Sequence, residues 1–425
     1  MRIAYGLRQG LQDYFASIRQ FNRNIRLLLI ASIFGGIASG IIDVNFNLYI
    51  LSLGITPNSL GQILSAGPFA HVLASIPIGF LGEALGYRTA FLIIYAVTGI
   101  AQIGQAATGN APLIALAGFI GGLAVSGNFV VRIPFLASNS TPAQRVHVFT
   151  LNSVLSGLSY ALGSLLAGYL PDLLQRFGLE LTMQYRYTLI FAGALTLLGT
   201  LPMMCLHPSL GSTEPLAERR RKISLSPYLW GIELFTIESS MVELFIGLTL
   251  GLIVPFMNIF FIYNLNVTRE NYSTIVALSV VPVTLMTFLG PLLASRGGYG
   301  RAISISRYLI PLSTLTLALT TQAWIGTGAL WAYRALFTMS QALWFAYAMD
   351  LASTRSKMAT SAWLEITFWL GQGVAALVTG SLLARSNYSL PFYLSTGAAL
   401  ITALLTHWIV HSKSPSKAPV TPMEI

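Results

Sequence analysis

The sequence predicts an all-α membrane protein in which twelve transmembrane helices form two pseudo-symmetric bundles of six. Three observations predict this fold class: a low content of charged residues, twelve apolar runs of membrane-spanning length, and a repeat that relates the two halves of the chain. Only 9% of the 425 residues are charged and 54% are hydrophobic, whereas soluble domains carry about 25% charged residues. The composition therefore excludes cytosolic enzymes, secreted disulfide scaffolds and free nucleic-acid-binding proteins.

The apolar runs give the number of spans. A membrane-spanning helix needs roughly 20 mostly apolar residues, and glycine or proline inside such a run is tolerated where helices pack together. The predicted spans are 27–53, 58–82, 89–108, 111–137, 146–171, 187–207, 241–265, 271–294, 302–321, 324–349, 358–384 and 390–411.

The distribution of basic residues predicts the orientation, because cytoplasmic loops carry most of the Lys and Arg of a membrane protein. With both termini in the cytoplasm, the inner segments hold 17 of the 24 basic residues, the outer segments hold 4, and 3 lie within spans. We therefore expect a multi-pass protein of the plasma or inner membrane with both termini cytoplasmic. Its predicted parts are a cytoplasmic interfacial segment (1–26), an N-terminal six-helix bundle (27–207), a cytoplasmic linker (208–240), a C-terminal six-helix bundle (241–411) and a cytoplasmic tail (412–425).

An internal repeat relates the two halves of the chain. Several residues match their own type at one constant offset of 211 positions, without a gap, and the longest interruption separates the sixth span from the seventh. This pattern predicts a duplicated six-helix unit. The matched pairs are Gly36 with Gly247, Gly40 with Gly251, Asn47 with Asn258, and Gly79 with Gly290.

The loop between the second and third spans carries the most specific motif. It reads Gly79-Phe-Leu-Gly-Glu83-Ala-Leu-Gly86-Tyr-Arg88. The loop resembles the cytoplasmic signature of the major facilitator superfamily, which has a glycine, an acidic residue four positions later, and then a glycine and a basic residue. Two positions depart from that pattern, since Glu83 stands where Asp is usual and Ala84 where a basic residue is usual.

The resemblance covers all twelve predicted spans and implies transport by alternating access, in which two bundles rock about a site near the membrane midplane. It implies that spans 1, 4, 7 and 10 line a central cavity. It also implies that Gly79, Glu83, Gly86 and Arg88 form a cytoplasmic gate loop, which latches the two bundles when the transporter opens outward. An ordinary turn with a local ion pair is the alternative for this loop.

Four ionisable residues inside the spans are candidates for function: Asp43 in span 1, Arg132 in span 4, Arg334 in span 10 and Glu365 in span 11. A charge in hydrocarbon costs at least about 2.5–3.5 kcal/mol, so such residues usually face the bundle interior. At ~1.5 Å per residue, Asp43 and Arg334 lie roughly 14–15 Å from the outer ends of their spans, and Arg132 and Glu365 roughly 8–10 Å from the inner ends. We expect an outer and an inner acid–base pair, each formed when the corresponding mouth closes.

These pairs predict how protons are coupled to transport. A carboxylate that leaves its arginine partner and is partly desolvated binds a proton more readily. Asp43 is the first candidate for proton coupling and Glu365 the second, while Arg334 is a competitor for Asp43 or an anion-binding group. Structural pairs that hold helices together are the alternative. Arg307, six residues into span 9, is predicted to snorkel to the membrane interface.

Polar and aromatic residues at membrane depth add candidates for substrate contact, with helix packing as the alternative for each of them. The sequence has no Walker A motif, no hydrolase signature and no cluster of Cys and His, so ATP, a cofactor and a bound metal are not expected. The predicted substrate-binding residues are Arg334, Arg132, Asn47, Asn258, Gln341, Trp331, Phe337 and Trp344.

The sequence therefore predicts a secondary active transporter, not an enzyme, whose partners are protons, a small-molecule substrate and membrane lipids, with no nucleic acid. The favoured activity is proton-coupled export of an amphipathic organic compound, because the predicted cavity is rich in aromatic residues and poor in charge. Uptake of a small organic anion bound by Arg132 and Arg334 is the alternative. An alternative of another class is a non-transporting lipid-handling, sensor or assembly protein on a transporter fold.

Overall fold

The computed structural model describes residues 21–75, 85–207, 232–353, 356–385 and 387–412. Most of the predicted interfacial segment, most of the predicted linker and nearly all of the tail lie outside these ranges. Within them, twelve helical segments follow the twelve predicted spans in order. They are α1 Arg23–Ser52, α2 Pro57–Ala74, α3 Tyr87–Ala107, α4 Ala111–Ser138, α5 Pro142–Gln175, α6 Leu181–Met204, α7 Leu234–Asn264, α8 Arg269–Gly297, α9 Tyr299–Leu319, α10 Ala323–Leu351, α11 Lys357–Leu383 and α12 Leu390–Ser412.

The helices have the length and composition of membrane spans. Among the described residues, ten of them are long and apolar enough to cross a membrane, and the remaining two are α2 and α10. The predicted all-α fold is confirmed.

Three helices are interrupted. α6 is interrupted at Gly199, and α8 at Ser279. α7 is regular to Ile253 and then continues as a 3₁₀ turn, a short α-helical turn and a π-helical turn over Phe260–Asn264. Pro255 lies in the 3₁₀ turn, where its missing N–H and its ring prevent a regular α-helical continuation.

The described helices separate into two compact units. Unit 1 comprises Met1–Tyr49 and Leu73–Ile223, and unit 2 comprises Ile50–Val72 and Ser224–Ile425. Most of α2 therefore belongs to unit 2, where it crosses α11 closely: a Cβ added to Gly61 would lie 2.8 Å from the Cα of Gly380. The bundle boundaries expected from the sequence remain a prediction.

Each unit has its own apolar core. In unit 1 the rings of Phe91 and Phe135 meet edge to face with centroids 5.2 Å apart, a favoured arrangement for aromatic pairs. In unit 2 the fully buried Trp344 is packed with Val242 and Leu364, which come from α7 and α11.

The repeat glycines of unit 1 bring α1 and α5 into close contact. A Cβ on Gly36 would lie 2.6 Å from the Cβ of Ser159, and one on Gly40 would lie 2.6 Å from the backbone nitrogen of Ser164. Only a residue without a side chain allows two helix backbones to approach this closely.

The matching glycines of unit 2 bring α7 and α11 into the same kind of contact. A Cβ on Gly251 would lie 2.7 Å from the Cα of Gln372, and one on Gly247 would lie 3.1 Å from its backbone nitrogen. The two glycine pairs, Gly36 with Gly247 and Gly40 with Gly251, thus have the same packing role in the two units.

Replacing a crossing glycine should lower stability although alanine is the better helix former. We expect Gly40→Ala and Gly251→Ala each to reduce the free energy of unfolding by about 1–3 kcal/mol through overpacking, measured by thermal unfolding in detergent. Gly397→Ala is the matched control, since its Cβ would meet no atom within 4 Å, and it should be neutral or stabilising. Equal effects at all three positions would contradict the proposed packing role.

Candidate functional site

A cavity of about 350 Å³ lies within unit 1, between α1, α3, α4, α5 and α6. Its volume is within the range of roughly 300–1,000 Å³ that is typical of small-molecule sites. Polar side chains in its wall include Thr98, Gln102, Asn128, Arg132, Tyr160 and Thr196.

Arg132 is the cationic residue in the described wall of this cavity. Its Nη2 donates a hydrogen bond to Oγ of Ser32 at 3.0 Å, and that hydroxyl in turn donates to the carbonyl of Leu28 at 2.8 Å. The guanidinium is therefore held in place by α1, and Tyr95 on α3 is a second hydrogen-bonding neighbour. The structure places the predicted substrate contact Arg132 at a cavity of suitable size.

Three buried polar atoms of the cavity-lining residues have no hydrogen-bond partner among the described residues: Oγ1 of Thr98, Oδ1 of Asn128 and Nε of Arg132. Most buried polar groups in proteins are hydrogen-bonded. Three such atoms among the residues of one cavity wall mark this region as the most polar part of the described interior of unit 1. Together they offer one acceptor, one donor and a hydroxyl that can serve as either.

Asp43 is connected to this cavity through a tyrosine. The hydroxyl of Tyr160 donates a hydrogen bond to Oδ2 of Asp43, and Tyr160 itself lines the cavity. Both side chains are half-buried. A ligand that contacts Tyr160 would therefore change the hydrogen bond that the Asp43 carboxylate receives.

The two asparagines that follow Asp43 are both buried. Asn45 donates from Nδ2 to the carbonyl of Ala167 at 2.9 Å and so ties α1 to α5. Asn47 is 3% exposed and does not belong to the cavity lining. Its repeat mate Asn258 accepts the backbone N–H of Ile259 at 2.8 Å in the irregular part of α7. A substrate contact by Asn47 or Asn258 remains a prediction.

Two predicted substrate contacts on α10 donate hydrogen bonds to residues at the interruption of α8. Nη1 of Arg334 donates to Oγ of Ser279 at 3.0 Å, and Nε1 of Trp331 donates to the carbonyl of Ile275 at 2.9 Å. Trp331, Arg334 and the neighbouring Phe337 are half-buried. The break in α8 thus receives two polar side chains that lie one helical turn apart.

Glu365 is half-buried on α11. Its Oε2 accepts a hydrogen bond from Nε1 of Trp369 at 2.9 Å. The indole of Trp369 also stacks on the imidazole of His71 from α2, with centroids 4.0 Å apart. Glu365 is therefore part of the contact between α2 and α11.

The predicted acid–base pairs combine residues of different units, since Asp43 and Arg132 belong to unit 1 and Arg334 and Glu365 to unit 2. Within its own unit, each of the four has a hydrogen-bond partner that is not of opposite charge. The pairing between units remains a prediction.

Two buried ionisable residues of unit 2 form a cluster that sequence reasoning did not identify. Glu243 on α7 is fully buried, and its two carboxylate oxygens accept hydrogen bonds from Nε2 of Gln341 at 3.0 and 3.1 Å. Glu243 is the third residue of predicted span 7. The signal for it in the sequence is an acid followed by a run of almost entirely apolar residues.

Arg307 does not snorkel, and that prediction was wrong. It is 2% exposed, its Nη1 donates to Oγ1 of Thr406, and its guanidinium carbon lies 4.5 Å from the ring centroid of Trp344. Its side chain points into the unit because α9 packs against both α10 and α12. Trp344, predicted as a substrate contact, is fully buried beside this guanidinium.

The gate loop is only partly described. Gly86, with φ 74°, precedes α3, and Arg88 lies in the first turn of that helix. Gly298 precedes α9 with a similar φ of 82°; such angles favour glycine. Gly79 and Glu83 lie outside the described residues, so the latch remains a prediction.

The helical fold with its apolar spans defines an integral, multi-pass membrane protein. A family model described as the Major Facilitator Superfamily matches residues 28–242, just over half of the chain. The chain therefore belongs to the Major Facilitator Superfamily.

Individual relatives are distant. Over 124 residues the chain is 29% identical to an uncharacterized MFS-type transporter, YfkF, from Bacillus subtilis (strain 168); the match covers 29% of this chain and 30% of that relative. The chain thus matches less than a third of the length of that relative.

Similar solved structures cover nearly the whole chain. The nucleoside transporter NupG has a TM-score of 0.70 at 16% identity over 91% of this chain and 98% of that one. A bacterial homolog of the human lysosomal transporter Spinster, in an inward-facing and occupied conformation, has a TM-score of 0.71 at 15% identity. That match covers 92% of this chain and 98% of the homolog. A D-xylose-proton symporter has a TM-score of 0.64 at 14% identity, over 92% of this chain and 97% of that one. At these identities the likeness establishes the fold.

The hydrogen bond of Asn45 should contribute to the stability of unit 1. We expect Asn45→Ala to lower the free energy of unfolding by about 1–3 kcal/mol, because the buried carbonyl of Ala167 loses its partner. Thermal unfolding of the purified protein measures this effect. Asn58→Ala, at an exposed position of α2, is the control and should change little; an equal loss in the two variants would refute the assignment.

Proposed function

We propose that the chain is a secondary active transporter that works by alternating access, binds a small polar organic solute in the unit 1 cavity and couples its movement to a proton at Asp43. The observation that carries this proposal is the position of Tyr160. Its side chain lines the cavity and its hydroxyl donates to the Asp43 carboxylate, so one side chain joins the solute site to an acid.

The chemistry of the cavity supports a small organic anion as the solute, which is the second of the two substrates expected from the sequence. A guanidinium held at one edge binds a carboxylate or a phosphate through charge-assisted hydrogen bonds. Oδ1 of Asn128 and the hydroxyl of Thr98 suit hydroxyl groups on the same solute. A hydroxylated organic anion would match the hydrogen-bonding chemistry of these three side chains.

Proton coupling follows from the shared tyrosine. An ionised carboxylate can only accept hydrogen bonds, and Tyr160 donates one to Asp43. A solute that redirects the Tyr160 hydroxyl toward itself would therefore favour binding of a proton at Asp43. By thermodynamic reciprocity, a proton on Asp43 would strengthen solute binding by the same factor.

Export of an amphipathic compound is the second candidate. The half-buried aromatic side chains of Trp331 and Phe337 on α10 support it, because such surfaces bind apolar groups. Its substrate would depend on these rings more than on Arg132.

The orientation and the gate belong to the same proposal. The excess of basic residues in the predicted inner segments supports cytoplasmic termini, in a plasma or inner membrane. Glu365 is the second candidate for proton coupling, and the loop with Gly86 and Arg88 is the candidate gate. Membrane lipids surround the spans.

Binding by Arg132 can be tested before the solute is known. A thermal-shift screen of the purified protein against hydroxylated carboxylates, phosphate esters and amphipathic cations should identify an anion that stabilises the wild type. Arg132→Ala should weaken its binding by about 10- to 100-fold, the loss expected for a charged hydrogen bond. Arg385→Ala, at an exposed position, is the control. Stabilisation by amphipathic cations alone, unchanged in Arg132→Ala, would favour export and contradict the anion proposal.

Asp43 should be required for coupling of solute transport to protons, but not for exchange of solute across the membrane. In proteoliposomes, we expect Asp43→Asn to abolish accumulation of the screened solute under an imposed pH gradient but to leave solute counterflow measurable, because counterflow needs no net proton movement. Asp350→Asn, at an exposed position on α10, should behave as wild type.

If the Asp43→Asn variant still accumulates solute under a pH gradient, Asp43 has no part in the mechanism. A wild-type protein that moves none of the stabilising solutes under a pH gradient would favour the non-transporting alternative.

A further inference from the structure

The buried cluster of unit 2 occupies the place that the edge of the solute cavity occupies in unit 1. At the repeat offset of 211, Glu243 on α7 matches Ser32 on α1, the residue that holds Arg132. At an offset of 212, which also relates the positive-φ glycines before α3 and α9, Arg307 matches Tyr95 of the cavity wall. Equivalent positions of the two units therefore carry residues of different chemistry.

The Glu243 carboxylate has an unusual environment for a charge. It is fully buried and held by the amide of Gln341, which cannot neutralise it. In the described part of the chain, no Arg, Lys or His nitrogen lies within 4.0 Å of its oxygens. Removal from water without a contacting cation disfavours the ionised form.

Arg307 is stabilised independently of Glu243. Its guanidinium lies over the Trp344 indole, a cation–π contact, and donates to Thr406. It is close enough to Glu243 to attract it without forming an ion pair. Protonation of Glu243 would therefore leave Arg307 with its other partners intact.

A small cavity lies next to this cluster. Its volume of about 20 Å³ is enough for one water molecule. Arg307 and Gln341 line it together with the hydroxyl-bearing side chains of Thr249, Ser340 and Thr402, and Nη2 of Arg307 has no hydrogen-bond partner among the described residues. The cavity can hold one water molecule beside Gln341, the residue that donates to Glu243.

We propose that Glu243 is the proton-binding carboxylate of unit 2, with Arg307 as its fixed counter-charge and Gln341 as the group that positions it. This inference rests on the proposed proton-coupled transport and assigns to Glu243 the role that the sequence analysis gave to Glu365. The proton adds to a carboxylate oxygen, and the net charge of Glu243 and Arg307 changes from zero to plus one.

The other groups around Glu243 fit this role. The charged groups that act on it are Arg307 from α9 and Glu365 from α11, while α10 contributes the uncharged Gln341 and Trp344. Glu365 is half-buried and bonded to Trp369, so the described residues do not fully enclose its charge. Glu243 is fully buried, and its protonation changes the charge of the buried interior directly.

The test uses the full chain in lipid vesicles, with protons as the probe and no solute. Infrared difference spectra recorded between acidic and alkaline pH show the carbonyl stretch of each carboxylic acid that binds a proton in that interval. We expect Glu243→Gln to lose one component of this acid band. Glu180→Gln, an exposed control before α6, should lose no component from a buried acid. Identical spectra for the wild type and Glu243→Gln would overturn the proposal.

A second variant covers failure of the first to fold. Thermal unfolding reports whether Glu243→Gln is folded; if it is not, Glu243→Asp keeps the acid and should shift the frequency of the same band. An unshifted band in Glu243→Asp would also overturn the proposal.

Failure of the Glu243 proposal and failure of the transport proposal give different results. Loss of the band in Glu243→Gln together with no pH-driven transport by the wild type would support proton binding at Glu243 and refute coupled transport. Full pH-driven transport in a folded Glu243→Gln variant would refute the role of Glu243 and leave coupled transport standing.

Discussion

The cost of placing a charge in hydrocarbon is the constraint on which the interior of this protein depends. Each ionisable side chain that the apolar helices carry must find partners inside the protein, because lipid offers none. Arg132 uses Ser32, Asp43 uses Tyr160 and Arg307 uses Thr406 and Trp344. These contacts determine which faces of the helices meet, and they leave a polar cavity where the partners are incomplete.

The glycine crossings and the polar sites are two results of one duplicated architecture. Close approach of α1 to α5 and of α7 to α11 brings the faces around Ser32 and Glu243 into equivalent surroundings. Unit 1 has a serine there and an open cavity with an arginine in its wall; unit 2 has an acid and room for one water molecule. In the proposed mechanism, the first unit binds the solute and both units bind protons.

The sequence allowed the twelve spans, the repeat and the family to be predicted, because apolar length, glycine offset and loop motif are local signals. It also selected Arg132, which lies in the wall of the unit 1 cavity, and Asp43, which is bonded to Tyr160 of that wall; their roles remain predictions. It missed Glu243 and misread Arg307, since both lie near predicted span ends, where a charge can equally face water. Only the packing of α7, α9 and α10 decides that these side chains point inward. The break in α8 that receives Arg334 was likewise invisible, because Ser279 carries no helix-breaking signal.

The central claim is that the unit 1 cavity and Asp43 communicate through Tyr160. Calorimetric titration of the purified protein with the stabilising solute, in buffers of different ionisation enthalpy, measures the number of protons taken up on binding. The account predicts net proton uptake by the wild type at a pH where Asp43 is ionised in the free protein, and none in a Tyr160→Phe variant that still binds the solute. Binding without proton uptake by the wild type across the whole accessible pH range would contradict it.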